Sequence, residues 1–174
     1  MRRNKLIHHE SLDGSHYVGY TRRGTAFTFD KGDLALVGLH SWHVSKRGYL
    51  ATKYKGRVVP LHRLLLGNPK GMNVDHVNRD KMDNRRRNLR LCTPQENSFN
   101  QSIRKTNTTG YIGVSKVKDR HAFEAYIHYC GRKYHIGTFP DEILAARVRD
   151  NAAAMLFGSF ASLNFPQRQG VASF

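Results

Sequence analysis

Cysteine is nearly absent: only Cys92 and Cys130 occur in 174 residues, far apart and in no CxxC pair. That excludes a four-cysteine zinc framework and gives no sign of an oxidising compartment. No run approaches 18 consecutive apolar residues, so no segment is expected to span a membrane. The opening MRRNKLIHHE is basic but lacks an apolar stretch of signal-peptide length, which predicts an intracellular, cytoplasmic protein. Repeats, low-complexity tracts and basic amphipathic helices are missing too, and the last of these speaks against a membrane surface as partner. Acidic residues are scarce, 13 Asp and Glu against 29 Lys and Arg, for a formal charge of +16.

The basic excess is spread along the chain. Residues 1–60 carry eleven Lys and Arg against four acids, residues 61–109 ten against four, and residues 110–174 eight against five. A neutral protein with a basic tail is therefore excluded, and a polyanion, nucleic acid first, is the expected partner. The length allows one large domain or two small ones.

From Tyr17 to Val59 the pattern is short strands broken by glycine and charged turns, with Ala26–Phe29 alternating and Lys55-Gly56-Arg57 reading as a hairpin turn. Leu61–Leu66 is apolar enough to be buried and too short to assign as helix or strand. Met72-Asn73-Val74 reads as a strand delivering Asp75 and His76, residues 77–88 as a polar ordered loop, and Leu89–Cys92 as a second strand. Thr93-Pro94-Gln95-Glu96 then predicts a helix start, with Thr as N-cap, Pro in first place and Glu closing a capping box. Residues 101–109 read as a linker. Strands are expected in Tyr111–Val117, Ala122–Tyr129 and Lys133–Phe139, then an alanine-rich helix from about Asp141 to Phe157, stopped by Gly158, and a loose tail from 167.

The chemistry gathers in 23 residues: Asp75-His76, Asp83-Asn84-Arg85, Asn88-Leu89-Arg90 and Glu96-Asn97. One imidazole beside one carboxylate, with side-chain amides behind them, suits metal-assisted phosphodiester hydrolysis: an acidic ligand for a hard cation, a base for water, and an amide to complete the site. The stretch VDHVNRDKMDNRRRNLRLCTPQEN, preceded by LHRLLLGNPKGMN, resembles the HNH homing-endonuclease family of phage type, over about residues 45–101. The resemblance implies a ββα-metal fold with core motif 60–101. It also implies His76 as general base, Asn88 as the residue orienting loop and ring, and Asp75 and Asn97 as ligands of one Mg2+, with Mn2+ as a substitute. Products with 3′-hydroxyl and 5′-phosphate ends are implied, on double-stranded DNA, from either a single-strand nick or a double-strand break, with one site per chain favouring the nick unless the protein dimerises, and with no obligate protein partner evident. Arg63 is a candidate phosphate contact, with a structural pairing as its alternative. Arg85, Arg86 and Arg87 either grip a phosphate strand or form a solvated loop. Asp80 and Asp83 read as loop-capping or ion-paired acids rather than ligands.

Residues 110–166 resemble the plant ethylene-response-factor (APETALA-type) DNA-binding domain at Tyr111, Gly113-Val114, Phe123 to Ile127, Ile136-Gly137-Thr138-Phe139, Ala145-Ala146 and Ser162–Pro166. The two-residue period turns Phe123, Ala125 and Ile127 to the helix, and Glu124, Tyr126 and His128 outward with Lys133 and His135. By family position Ser115, Tyr126, His128, Lys133 and His135 are the expected DNA contacts, although several positions that hold Arg or Trp in plant members are Ile112, Ser115, Val117 and His135 here. The same face also suits contact with a protein. The expected fold is α+β: a ββα-metal nuclease domain over residues 1–100, a linker at 101–109, a three-stranded antiparallel sheet packed on one helix at 110–166, and a tail at 167–174. The rival reading is a non-catalytic, sequence-specific DNA-binding regulator.

Overall fold

The computed structural model describes residues 6–100, 103 and 106–166; the tail expected from 167, and part of the linker, lie outside them. The chain divides into two compact units, residues 1–94 and 95–174. The first is built from small antiparallel sheets. Strands β1 (Ile7–Glu10), β2 (Tyr17–Tyr20) and β3 (Ala26–Phe29) form one sheet in chain order. A short helix α1 (Leu34–Gly38) follows, then β4 (His43–Val44), β5 (Leu50–Tyr54) and β6 (Arg57–Pro60) in a second sheet. The β5–β6 turn is Lys55-Gly56, both at positive φ, as a two-residue hairpin with the strands' own twist requires. Helix α2 (Leu61–Leu65) resolves the ambiguity of that apolar run: Leu61 and Leu65, four apart, share one face and both enter the core.

Strands β7 (Asn73–His76) and β8 (Leu89–Cys92) pair antiparallel, with Asp75 opposite Arg90 and His76 opposite Leu89. A one-turn helix α3 (Pro94–Asn97) follows. Phe27, Phe29, Val37, Trp42, Leu50, Leu61, Leu65, Val74 and Leu89 form the core of this unit, so both β7 and β8 are anchored in it. The loop between them is tied to the first sheet. Thr28 N–H donates to the Met82 carbonyl at 2.9 Å, Asn84 N–H donates to the Thr28 carbonyl at 2.9 Å, and Thr28 Oγ1 donates to Asp83 at 3.0 Å.

The second unit has β9 (Val114–Lys116), β10 (Phe123–Tyr129) and β11 (Arg132–Phe139) in the order β11-β10-β9, with helix α4 (Glu142–Phe157) against them. Asp141 caps α4, accepting from Leu144 N–H at 2.7 Å. Ala145 and Ala146 are fully buried against Val114 and Ala125, and such small side chains let helix and sheet approach closely. The domain boundary falls earlier than the sequence suggests, at 94/95 rather than 100. Phe99 supplies the reason: its ring stacks on Phe157 at 4.0 Å, inside the second core. The expected linker is also ordered from Asn107, whose Oδ1 accepts from Thr109 N–H at 3.0 Å and from Gly110 N–H at 2.6 Å.

The expected strand from Tyr111 is shortened because Gly113 sits at φ +71, outside strand geometry. A Cβ there would lie 2.5 Å from the Tyr126 carbonyl oxygen and 2.9 Å from Arg149 Nε. Gly113→Ala is therefore expected to destabilise this unit by about 2 kcal/mol, lowering its melting temperature by roughly 10 °C. A thermal melt followed by circular dichroism checks this, and an unchanged midpoint would refute it. The Ser162–Pro166 segment is fastened by the same logic of close approach. Asp150, buried, accepts from Asn164 N–H at 2.7 Å and Phe165 N–H at 2.9 Å, while Asn164 brackets the Ile112 backbone through both amide atoms.

Candidate active site

Strand alternation sends the side chains of Asp75 and His76 to opposite faces of β7. Asp75 faces Arg90 across the strand pair, and its Oδ2 accepts from Arg90 Nε at 3.0 Å and Nη2 at 2.7 Å. His76 turns to the core side and is 4% exposed. Its ring meets His62 edge-on at 4.8 Å between centroids and stacks on Tyr49 at 6.0 Å. Burial lowers the His76 pKa, against the opposing pull of Asn84 and the nearby carboxylates. His62, from α2, is lowered to about 3 by burial and by the His76 and Arg63 charges, so it is neutral across the working range. Its Nδ1 is buried with no hydrogen-bond partner.

His76 Nε2 lies 3.4 Å from Asn84 Oδ1. Asn84 is fully buried, and its Nδ2 donates to the carbonyls of Met82 at 3.1 Å and Lys81 at 3.4 Å, which fixes Oδ1 toward the ring. An amide oxygen only accepts, so this contact favours the tautomer with its proton on Nε2. A neutral imidazole is the form that a general base requires, and burial favours that form at His76.

Asn88 was expected to orient both the loop and the ring. Its own side-chain bonds go to the loop: Oδ1 accepts from Asn78 N–H at 2.9 Å and Nδ2 donates to the Asp83 carbonyl at 2.8 Å. The amide on the ring is that of Asn84, which sequence reading passed over; only its place in the Asp83-Asn84-Arg85 triplet marked it. Tyr49 carried no signal in sequence at all. Asp83 is the centre of the loop, accepting from Thr28 Oγ1, from Asn78 Nδ2 at 2.9 Å, and from Arg85 Nε and Nη2 at 2.7 Å each. Burial would raise its carboxyl, but the Arg85 bonds outweigh that and hold it at about 2. Asp80 caps the same loop at Met82 N–H.

Most of the basic candidates in this unit serve the fold. Arg63 donates to Asn68 Oδ1 at 3.1 Å, to the Met72 carbonyl at 3.0 Å and to the Pro69 carbonyl, pinning the turn before β7. Arg85 is bound to Asp83, and Arg86 grips Asp33 through Nε at 3.0 Å and Nη2 at 2.7 Å. Arg87 is exposed. Asn97 ends α3, is exposed, and falls with the second unit.

Among the described residues no three His, Cys, Asp or Glu side chains come close enough to hold a metal ion by themselves. One carboxylate with amide oxygens fits instead a hard cation whose remaining positions are taken by water and substrate phosphate, the usual manner of magnesium. A cation at Asp75 has to share that carboxylate with Arg90.

On the second unit, Ala125 and Ile127 are buried and Glu124, Tyr126 and His128 half-exposed, as alternation predicts. A bulge at Ile136, with Ala125 opposite Gly137 and Tyr126 opposite His135, turns Ile136 into the core and keeps His135 outward. Ser115, Tyr126, His128, Lys133 and His135 thus share one face, with Lys133 Nζ 4.2 Å above the Tyr126 ring.

A family model described as HNH endonuclease matches residues 66–99, the segment that carries Asp75, His76, Asn84, Asn88 and Asn97. An uncharacterized HNH endonuclease, L560, of Acanthamoeba polyphaga mimivirus is 33% identical over 135 residues, covering 74% of this chain and 69% of that protein. Protein 3.8 of Escherichia phage T7 is 34% identical over 67 residues, 38% of this chain and 55% of that one. No solved structure matches the chain.

Proposed function

The chain belongs to the HNH endonuclease family, and we propose on that premise that it is a metal-dependent, homing-type endonuclease of double-stranded DNA, encoded by a phage and acting inside the infected cell. The observation that carries this reading is the His76 imidazole, buried, with its pKa lowered by that burial and its Nε2 3.4 Å from the fixed Asn84 oxygen. The His76 imidazole takes the proton of a water whose oxygen attacks phosphorus. The bond from phosphorus to the 3′ oxygen breaks and that oxygen takes a proton from solvent water, leaving 3′-hydroxyl and 5′-phosphate ends. Asn84 orients the ring, and Asn88 and Asp83 hold the loop that carries Asn84. By the family resemblance, Asp75 and Asn97 would be the ligands of one divalent cation, magnesium with manganese as substitute. The cation supplies charge stabilisation at the phosphorane-like transition state and the leaving oxygen.

Among the arginines, Arg87 is the best placed for a backbone phosphate, since Arg63, Arg85 and Arg86 hold loops. The second unit is proposed as an APETALA-type DNA-binding module meeting DNA with Ser115, Tyr126, His128, Lys133 and His135. The net charge of +16 supports both roles.

The test is incubation of the purified protein with supercoiled DNA carrying host and phage sequence, with magnesium and with EDTA. Relaxed circles should appear first and only with magnesium, because one site per chain cuts one strand. Cleavage in EDTA would refute the metal dependence. Gel shifts without any cleavage would favour the regulator.

A further inference from the structure

Strands β9, β10 and β11 carry one acidic residue between them, Glu124. It lies on the outward face, in the midst of the side chains proposed to meet DNA. Lys133 Nζ donates to its Oε2 at 2.7 Å, Ser115 Oγ to the same oxygen at 3.3 Å, and His135 Nδ1 stands 3.0 Å from Oε1. Lys133 is thus held on two sides, by the carboxylate and by the Tyr126 ring beneath it. The Lys133 bond foremost keeps the Glu124 carboxyl below its ordinary range, so it is charged at neutral pH.

A carboxylate in this place works against indiscriminate DNA binding. Sequence-independent affinity comes from cations meeting phosphates. Here a phosphate approaching Lys133 or His135 has to displace a carboxylate already bonded to both, and to sit beside its negative charge. An exposed ion pair of this kind contributes little to folding stability, so stability gives no account of its presence. Discrimination commonly needs a repulsive element as well as an attractive one.

We propose that Glu124 is a specificity-determining residue of this face: it withholds Lys133 and His135 from the DNA backbone, so that arbitrary sequence is bound weakly. This rests on the reading of the second unit as a DNA-binding module, and the test separates the two.

The full chain, in EDTA so that nothing is cut, is titrated onto a labelled random-sequence duplex of about 30 base pairs, with anisotropy read between roughly 50 and 200 mM salt. Glu124→Gln keeps the side chain's size and two polar atoms. It is expected to bind about tenfold tighter at the lowest salt, with a salt dependence steeper by about one released counterion. Adding Lys133→Ala to it should return affinity to the wild-type level. Unchanged or weaker binding by Glu124→Gln overturns the proposal. A double variant as tight as Glu124→Gln also overturns it, because the gain would then owe nothing to a released lysine. Lys133→Glu tests the premise separately: if it fails to weaken binding, this face does not meet DNA and the module's assignment falls instead.

Discussion

Replacing His76 with alanine is expected to slow DNA cleavage by about 10²- to 10⁴-fold, while DNA affinity measured in EDTA stays within roughly twofold, since phosphate contacts rather than this buried ring supply the binding. The imidazole is 4% exposed and enclosed by Tyr49, His62 and Asn84, so it has little to offer a phosphate backbone except at one point. Its Nε2 lies 3.4 Å from an amide oxygen fixed by two carbonyls. Asn84→Ala removes that contact and leaves the imidazole in place. It should cost less, about tenfold in the single-turnover rate, by freeing the ring to adopt the wrong tautomer. The ordering His76→Ala, then Asn84→Ala, then wild type, on supercoiled DNA with magnesium, checks both residues. Equal cleavage by His76→Ala would mean that the base lies elsewhere, and a non-catalytic regulator would show no cleavage in any of the three.

Asp83→Ala should destabilise the first unit by about 3 kcal/mol, the usual outcome when one partner of a buried pair is removed and the other left charged. Asp83 is 5% exposed and joins the Arg85 guanidinium, the Asn78 amide and the Thr28 hydroxyl, so its loss also loosens the loop that carries Asn84. Activity should fall with stability. The pH dependence has a definite sign. The folded protein holds this carboxyl at about 2, below its ordinary 3.8, so the ionised form stabilises the fold. That contribution, roughly 2 kcal/mol, is fully present above the ordinary value and fades as pH falls from about 4 to 2. Urea denaturation of wild type and Asp83→Asn across this range should show a stability gap at neutral pH that narrows on acidification. A gap constant with pH would show that the carboxylate's charge is not what stabilises the loop.

Much of the framework could be read along the chain because it is local. The Lys55-Gly56 turn, the strand that delivers Asp75-His76, and the acidic start and Gly158 stop of α4 depend on residues a few positions apart. Alternation along β10 likewise told which side chains face the helix. Even there, the bulge at Ile136 was invisible, since it depends on how one strand pairs with another.

The sequence by itself determined that the protein is basic throughout, that His76, Asn88 and Asn97 follow one another within a stretch that resembles the HNH family, and that His76 stands beside Asp75 in a strand-like run. Tertiary structure alone decided what surrounds those residues. Asn84 reaches the His76 ring from an aperiodic loop, Tyr49 arrives from 27 positions upstream in the sequence, and Thr28 meets Asp83 across 55 residues. It also decided that Arg63, Arg85 and Arg86 bond to the protein itself, and that Glu124 is bonded to Lys133 and His135 on the outer face. The physical reason is the same in each case. Periodicity tells a side chain which way to point from its own element, but the partner it meets is set by how distant segments close on one another around a shared core.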